Sequence, residues 1–411
     1  LRPAQGGVVV EKASAGDLLA LKLVAEEWDF GRAADEANVS TGVLETAVQE
    51  ARRKGLLLSP ASRIRRDPRS FCVPPTMNEE VLTASVFTLQ WHITQACDLH
   101  CKHCYDRSDR ERMGRDQAIG VLDDFKGFCR RRHVAGQVSF TGGNPLLHPD
   151  FETLYRAAAE RGLGIAILGN PTSKERIKKL AEIARPVFYQ VSLEGLPEHN
   201  DSIRGSGHFG RTMDFLPVLK EAGIWASVML TLTRENMAQV LPLAEVLRAK
   251  ADGFTFNRIS LVGEGANLKL PDPEAFHGFL EDYLEAAKSN PVLGLKENLL
   301  NAVCLDKGRD LFGGCTGYGC GAAFNFVSVL PDGEVHACRK FPSPLGNMLE
   351  LGLEAVYTSE SAARYRTRPL ACRKCEIRAV CGGCPAVSYS HGLNVFEDRD
   401  PFCFMGRDRA L

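Results

Sequence analysis

The chain contains no apolar run approaching the roughly 18 residues that a helix needs to cross a bilayer, and nothing at its start reads as a secretion signal. Net charge is also missing: 50 Lys and Arg stand against 51 Asp and Glu, a formal charge of -1, which argues against a nucleic-acid partner. There is no internal repeat and no low-complexity segment. The expectation is a cytoplasmic chain with no membrane partner. Its 411 residues, 44% of them hydrophobic, can bury more than one core, so two or three domains are expected.

Cysteine is where the sequence is rich. Fourteen of them would suggest disulfides only in an oxidising compartment, and their spacings point instead to iron-sulfur clusters. Cys97-Asp98-Leu99-His100-Cys101-Lys102-His103-Cys104 offers three thiols. A 4Fe-4S cube takes four such ligands, so three leave one iron open to a small molecule. The loop follows Val86 to Thr94, whose β-branched and aromatic residues predict a strand. It therefore lies at a strand's C-terminal end, where barrel enzymes keep their chemistry. A second array comprises Cys315, Cys320, Gly333-x4-Cys338, Cys372-x2-Cys375-x5-Cys381-x2-Cys384 and Cys403. Its eight thiols suffice for two cubes, and zinc sites are the competing assignment for both arrays. Cys129 falls in a helical stretch and reads as a small buried residue, a description that Cys72 and Cys304 also fit.

Between residues 86 and 262, strands alternate with helical patterns at Arg115 to Arg132, Phe151 to Arg161, Ser173 to Ala184, Arg211 to Ala222 and Glu235 to Lys250. A last strand is expected at Gly253 to Val262. Repeated βα units build a parallel sheet. Pro271 to Ser289 predicts a helix in a bridging region, 263–314, ahead of a cysteine-bearing domain, 315–411. Residues 1–75 read as a separate unit: helices around Leu18 to Val24, Arg32 to Ala37 and Ser40 to Lys54, then Leu56-Leu57-Leu58 as a strand, a winged helix-turn-helix pattern. Such a unit reads DNA or docks a peptide as an added strand. The basic run Arg63, Arg65, Arg66 and Arg69 fits an acidic partner or a solvated linker.

The first cysteine loop, with the segments that follow it in order, resembles the radical S-adenosylmethionine (SAM) superfamily, whose signature is C-x3-C-x-Φ-C. His103 holds the usually aromatic position and Tyr105 follows. Thr141-Gly142-Gly143-Asn144-Pro145 is similar to the G-G-E-P motif that holds the SAM amino group. Asn144 replaces the Glu, so the oxygen still accepts a hydrogen bond but carries no charge. Ile165 to Asn170 ends where the family often has T-N-G. Tyr189 to Gly195 resembles the V-S-L-D-G strand, whose Ser and acid, here Ser192 and Glu194, face SAM. Arg204 matches the arginine that pairs with the SAM carboxylate, a partner its fork suits. The resemblance implies cofactor contacts from Tyr105, Gly142, Gly143, Asn144, Asn170, Ser192, Glu194 and Arg204, with Cys97, Cys101 and Cys104 as cluster ligands. It implies an α/β fold, a partial (β/α)6 TIM barrel over 86–262. The second array resembles the SPASM extension of radical SAM peptide maturases, with x2 where the last internal spacing is often x3. Its interleaved ligation, carried over, gives Cys315, Cys320, Cys338 and Cys384 one auxiliary cluster and Cys372, Cys375, Cys381 and Cys403 the other. The implied cofactors are three 4Fe-4S clusters and SAM.

The implied activity is that of a radical SAM oxidoreductase modifying a ribosomally made precursor peptide. A 5'-deoxyadenosyl radical takes a hydrogen atom from the peptide, leading to a thioether or carbon crosslink or a related oxidation, with electrons from a flavodoxin- or ferredoxin-type donor. The N-terminal unit is then expected to recognise the leader peptide. One alternative is sulfatase-type formylglycine maturation, whose family places an acid after the cysteine matching Cys338, where Arg339 and Lys340 stand here. Another is an iron-sulfur, DNA-binding redox regulator, which needs neither Gly142-Gly143 nor Ser192 nor Arg204.

Overall fold

The computed structural model describes residues 2–4, 7–9, 12–26, 28, 30–57, 60–71, 73–74 and 77–405, with the backbone alone at 2–4, 7–9, 30 and 53. Leu58 and Cys72 lie outside the described residues. At the N-terminus β1 (Arg2–Ala4) and β2 (Gly7–Val9) pair antiparallel and precede three helices, α1 (Ala15–Ala25), α2 (Phe30–Ala37) and α3 (Thr41–Arg53). The Ser14 hydroxyl accepts from Asp17 N while the Asp17 carboxylate accepts from Ser14 N, a reciprocal cap that starts α1. Ser40 caps α3, and Gly55, at φ 68°, closes it. The expected wing strand does not form at Leu56 and Leu57; among the described residues the unit's hairpin comes before its helices.

The main body alternates β3 (Val86–Thr94), α4 (Arg115–Arg132), β4 (Ala135–Gly142), α5 (Phe151–Glu160), β5 (Gly164–Leu168), α6 (Lys174–Ile183) and β6 (Phe188–Ser192). Two helices follow, α7 (Pro197–Arg204) and α8 (His208–Glu221), then β7 (Trp225–Leu232), α9 (Val240–Leu247) and β8 (Gly253–Arg258). Strands β3 to β8 lie side by side in chain order, each parallel to the next. On β3, Phe87, Leu89, Trp91 and Ile93 are buried on the helix side, Phe87 packing edge-on to Phe128 of α4 at 4.9 Å. The alternate positions Gln90 and His92 stand in register with Ser139 and Thr141 of β4. A closed TIM barrel fills its interior with Val, Ile and Leu; this open array has a polar inner face instead.

Beyond the barrel come α10 (Pro273–Ala287), α11 (Leu300–Asp306), β9 (Phe326–Val329), β10 (Glu334–His336) and β11 (Pro344–Asn347). β9 runs parallel to β3, so this C-terminal hairpin extends the barrel sheet to nine strands in the order β11-β10-β9-β3-β4-β5-β6-β7-β8. Cysteine-rich domain and barrel therefore share one sheet. Helices α12 (Met348–Thr358), α13 (Glu360–Thr367) and α14 (Pro385–Ser390) complete the chain. No helix among the described residues is long and apolar enough to cross a membrane.

Two hydrophobic cores form. The smaller joins Ala20, Leu23, Ala34, Leu44 and Val48 of the N-terminal helices. Ile64 and Phe71 belong to the larger one, so the N-terminal unit ends before residue 60 rather than at 75. The basic run divides accordingly: Arg69 pairs with Asp67 at the surface, whereas Arg66 is 4% exposed. Its guanidinium donates to the carbonyls of Tyr318 (2.6 Å), Ala379 (3.1 Å) and Cys320 (3.3 Å) and lies over the Phe324 ring at 4.0 Å. Arg66 is thus a staple into the cysteine-rich domain, not part of a solvated linker. Arg66→Ala strands those carbonyls and opens a cavity, and the expected cost is about 2 to 4 kcal/mol, read as an earlier denaturant midpoint for loss of that domain's fluorescence or cluster absorbance.

The N-terminal unit is seated at one end of the barrel. Thr41 Oγ1 donates to Pro186 O at 2.8 Å, and Arg185 pairs with Asp35 at 2.9 Å. A Cβ on Gly42 would lie 3.1 Å from Trp225 Cβ and 3.2 Å from Val187 O. Pro186, Val187 and Trp225 mark the N-terminal ends of β6 and β7, the end opposite the cysteine loop.

Candidate active site and cluster sites

The loop carrying Cys97, Cys101 and Cys104 leaves the C-terminal end of β3 and is pinned by backbone from three directions. Gly143 N donates to Thr94 O (2.8 Å) and Asn144 N to Ala96 O (2.7 Å), Lys102 N reaches Ile203 O (3.0 Å), and Glu264 N reaches Cys104 O (2.9 Å). The glycine pair is required by closeness: a Cβ at Gly142 would stand 2.1 Å from Thr94 O, and one at Gly143 2.2 Å from Ala96 O. Thus the Gly142-Gly143 strap and the cysteine loop form one surface.

The expected SAM contacts gather around it. Asn144 Nδ2 and Asn170 Nδ2 both donate to Asp98 Oδ1, at 3.0 Å and 2.6 Å. Tyr189 OH holds Asn170 by its carbonyl at 2.7 Å. Arg204 closes the last turn of α7, a polar helix (P-E-H-N-D-S-I-R) with no apolar stripe to announce it. Its Nε and Nη2 donate to Glu194 Oε1 at 2.9 Å and 2.6 Å, and its Nη1 lies 3.8 Å from Cys101 Sγ. Glu194 Oε2 accepts from Thr231 N at 2.7 Å, and His103 Nε2 stands 3.4 Å from Oε1. Burial opposes the charge on Glu194, yet His103, Arg204 and the Thr231 N–H hold it below the ordinary carboxylate value. Burial brings His103 down to about 4, and its Nδ1 is buried without a partner. Burial raises Cys101, and the Arg204 guanidinium opposes that rise by favouring the thiolate. Tyr105 turns the other way: its ring meets His92 edge-on at 6.1 Å and lies under the Arg339 guanidinium at 5.7 Å. Ser192 ends β6 on the polar inner face.

The second array separates into two groups. Cys372, Cys375, Cys381 and Cys403 line one shared pocket, with Arg378 and Asp400 on its wall. Burial pushes Cys372 up to about 11, helped by repulsion from Cys375 and Cys403. The other four gather elsewhere: burial takes Cys315 to about 11 and Cys338 to about 12, and each is raised further by Cys320 and Cys384. Among the described residues no set of three or more His, Cys, Asp or Glu side chains is placed to hold a single metal ion. Cys129 and Cys304 are buried at 2% and 3% exposure.

Several supporting residues carried no signal in the sequence. Arg258, fully buried at the end of β8, is bidentate to Glu297 (3.1 and 3.0 Å) and Asp400 (2.8 and 2.6 Å) and is sandwiched by Phe276 and Phe402. Asp400 Oδ2 also accepts from Cys384 N at 2.8 Å. Asn298 accepts from Cys315 N at 2.8 Å and donates to Gly383 O at 2.7 Å. These contacts hold the backbone at Cys315 and Cys384 near the barrel's last strand, and Asp400 also lines the pocket of the other thiol group. On the other side Arg339, next to Cys338, is ion-paired with Asp106, two residues after Cys104.

Residues 91–247 match the family model of the radical SAM superfamily, and residues 320–385 match that of SPASM, an iron-sulfur cluster-binding domain. The chain carries a radical SAM domain and a SPASM domain and is an enzyme; the radical SAM domain implies a 4Fe-4S cluster and SAM. Among curated relatives, the antilisterial bacteriocin subtilosin biosynthesis protein AlbA of Bacillus subtilis is 26% identical over 323 residues, 74% of this chain and 67% of AlbA. The mycofactocin maturase MftC of Mycobacterium ulcerans is 28% identical over 337 residues, 77% of this chain and 88% of MftC. An AdoMet-dependent heme synthase of Methanosarcina barkeri is 24% identical over 345 residues, 77% of this chain and 95% of the synthase. In fold, Streptococcus suis SuiB bound to the precursor peptide SuiA aligns over 98% of this chain and 95% of its own, with a TM-score of 0.62 at 17% identity.

Proposed function

We propose that this radical SAM SPASM chain is a peptide maturase that modifies a ribosomally made precursor peptide and works with three 4Fe-4S clusters. The observation that carries the reading is the pair of separate four-thiol groups standing beside a three-thiol loop on one continuous sheet. The relatives AlbA and MftC support it, and the heme synthase relative sets the competing substrate class. Cys97, Cys101 and Cys104 would hold the SAM cluster. Cys315, Cys320, Cys338 and Cys384 would hold the first auxiliary cluster, and Cys372, Cys375, Cys381 and Cys403 the second. When bound, the reduced cluster and SAM supply a hydrogen-abstracting radical.

The protein's part is positioning and exclusion. The glycine strap fixes the loop, and the buried Glu194–Arg204 pair fixes one wall of the SAM pocket. Arg204 Nη1 is the donor left for the SAM carboxylate, since Nε and Nη2 are held by Glu194. Arg204→Ala should weaken SAM binding by about 1.5 to 3 kcal/mol, read as a raised Kd; an unchanged Kd contradicts the assignment. The polar inner face of the array suits peptide amides better than an apolar ring system. The sulfatase-type reading is weakened at Arg339: the position that would carry an acid holds a cation already paired with Asp106.

The N-terminal unit is the proposed leader-docking element. Seated at the opposite end of the strands, it lies roughly 30 Å from the cysteine loop, the length of a nine-residue strand. A leader held there needs a spacer of about ten or more residues to bring its target side chain to the SAM site. The test uses a candidate precursor peptide, sought among short reading frames beside this gene, with SAM and a reductant. The expected result is 5'-deoxyadenosine formed together with peptide of altered mass; turnover of an iron porphyrin with none of the peptide would favour the heme-synthase class.

A further inference from the structure

The family's glutamate is absent at residue 144, yet a negative charge stands beside that residue. Asp98 Oδ1 is 3.0 Å from Asn144 Nδ2 and 2.6 Å from Asn170 Nδ2. We propose that Asp98, the residue after the first cysteine of the loop, is the carboxylate that receives the ammonium group of SAM, with Asn144 and Asn170 as positioning residues. This rests on the SAM-binding reading given above.

An ammonium is a compact charge with three donors and is best met by an ionised oxygen. The other carboxylates around the loop are already engaged: Asp106 by Arg339 and Gln95, and Glu264 by Arg107. Glu194 is already engaged by Arg204, His103 and Thr231 N. Asp98 is different: only neutral amides reach it, both on Oδ1, and no Lys, Arg or His pairs with it among the described residues. Its Oδ2 is left to accept from a ligand.

The two amides are not casual surface partners. Asn144 and Asn170 are 4% and 9% exposed. Asn144 Oδ1 accepts from Leu146 N at 3.2 Å, which fixes the amide so that its NH2 points at Asp98. Asn170 is held by Tyr189 OH, and its Nδ2 also lies 3.8 Å from Cys97 Sγ. The carboxylate is therefore presented at the edge of the cysteine loop, beside the Gly142-Gly143 strap. An amide at 144 is required by this arrangement, because a glutamate there would set a second anion against Asp98. The charge has moved from the strap to the loop.

The test is SAM affinity of the fully reconstituted enzyme, compared with affinity for a SAM analogue lacking the α-amino group, with iron content checked in every variant. Asp98→Asn should weaken SAM about tenfold or more, the scale of a charge-assisted hydrogen bond, and leave the analogue's Kd unchanged. Asn144→Glu alone should also weaken SAM, while Asp98→Asn combined with Asn144→Glu should restore it. Equal affinity of Asp98→Asn and wild type for SAM overturns the proposal, as does an equal loss for SAM and analogue at full iron content. If Asp98→Asn loses its loop cluster, Asn170→Ala, which lies off the loop, carries the same comparison: SAM weakened about threefold or more with the analogue unaffected supports the proposal, and equal changes overturn it. Wild-type enzyme that cleaves SAM while Asp98 variants bind it normally would leave the functional reading standing and remove only this inference.

Discussion

Replacing Cys97, Cys101 and Cys104 together by alanine should remove about one third of the iron from the reconstituted enzyme, since one cube of three is lost, and should abolish 5'-deoxyadenosine formation. The remaining two thirds should persist because the auxiliary thiols are carried by a separate part of the chain. Arg66, Arg258 and Asn298 hold that part through contacts that do not involve the loop. Iron and sulfide analysis, with quantification of 5'-deoxyadenosine, reads both effects. A wild-type inventory near four irons, or zinc in place of iron, would contradict the auxiliary assignment. Complete iron loss in the triple variant would show that the clusters are interdependent.

Removal of residues 1–57 should lower peptide turnover by about a hundredfold or more, since a docked leader raises the local concentration of the core peptide. SAM cleavage without peptide should stay near the full-length rate. The cut belongs at 57 and not at 75 because Ile64, Arg66 and Phe71 are packed into the main body. The unit's own core and its contacts through Thr41, Asp35 and Gly42 make it a separable piece resting on the N-terminal ends of β6 and β7. Full peptide turnover after the deletion would rule out the docking role, and sequence-specific, salt-sensitive binding of duplex DNA by the full chain would favour the regulator.

The barrel was legible wherever local pattern and final fold agree. β3 and α4 begin and end at the residues that their apolar patterns suggest, Val86–Thr94 and Arg115–Arg132. The pattern failed where tertiary contact decides. A charged Arg66 within a polar, basic stretch reads as solvated, and only the carbonyls of a domain some 250 residues away turn it inward. α7 is polar all round and gave no helical period. The short strand β9 earns its place only by pairing with β3. At the site, cysteine spacing alone suggested the thiols, whereas their support did not show. Asp98 was visible as an acid in the loop, but its contacts to Asn144 and Asn170 span 46 and 72 residues of sequence. The Arg258–Asp400 pair spans 142.

The most direct test is hydrogen transfer. The enzyme is given SAM, a reductant and a candidate precursor peptide deuterated at its carbon-bound positions, and the 5'-deoxyadenosine formed is weighed by mass spectrometry. Deuterium arriving in the 5'-deoxyadenosine, in step with the modified peptide, is the predicted result. Peptide-dependent turnover with no deuterium transferred, or SAM cleavage indifferent to the peptide, would contradict hydrogen abstraction from a peptide as this enzyme's chemistry.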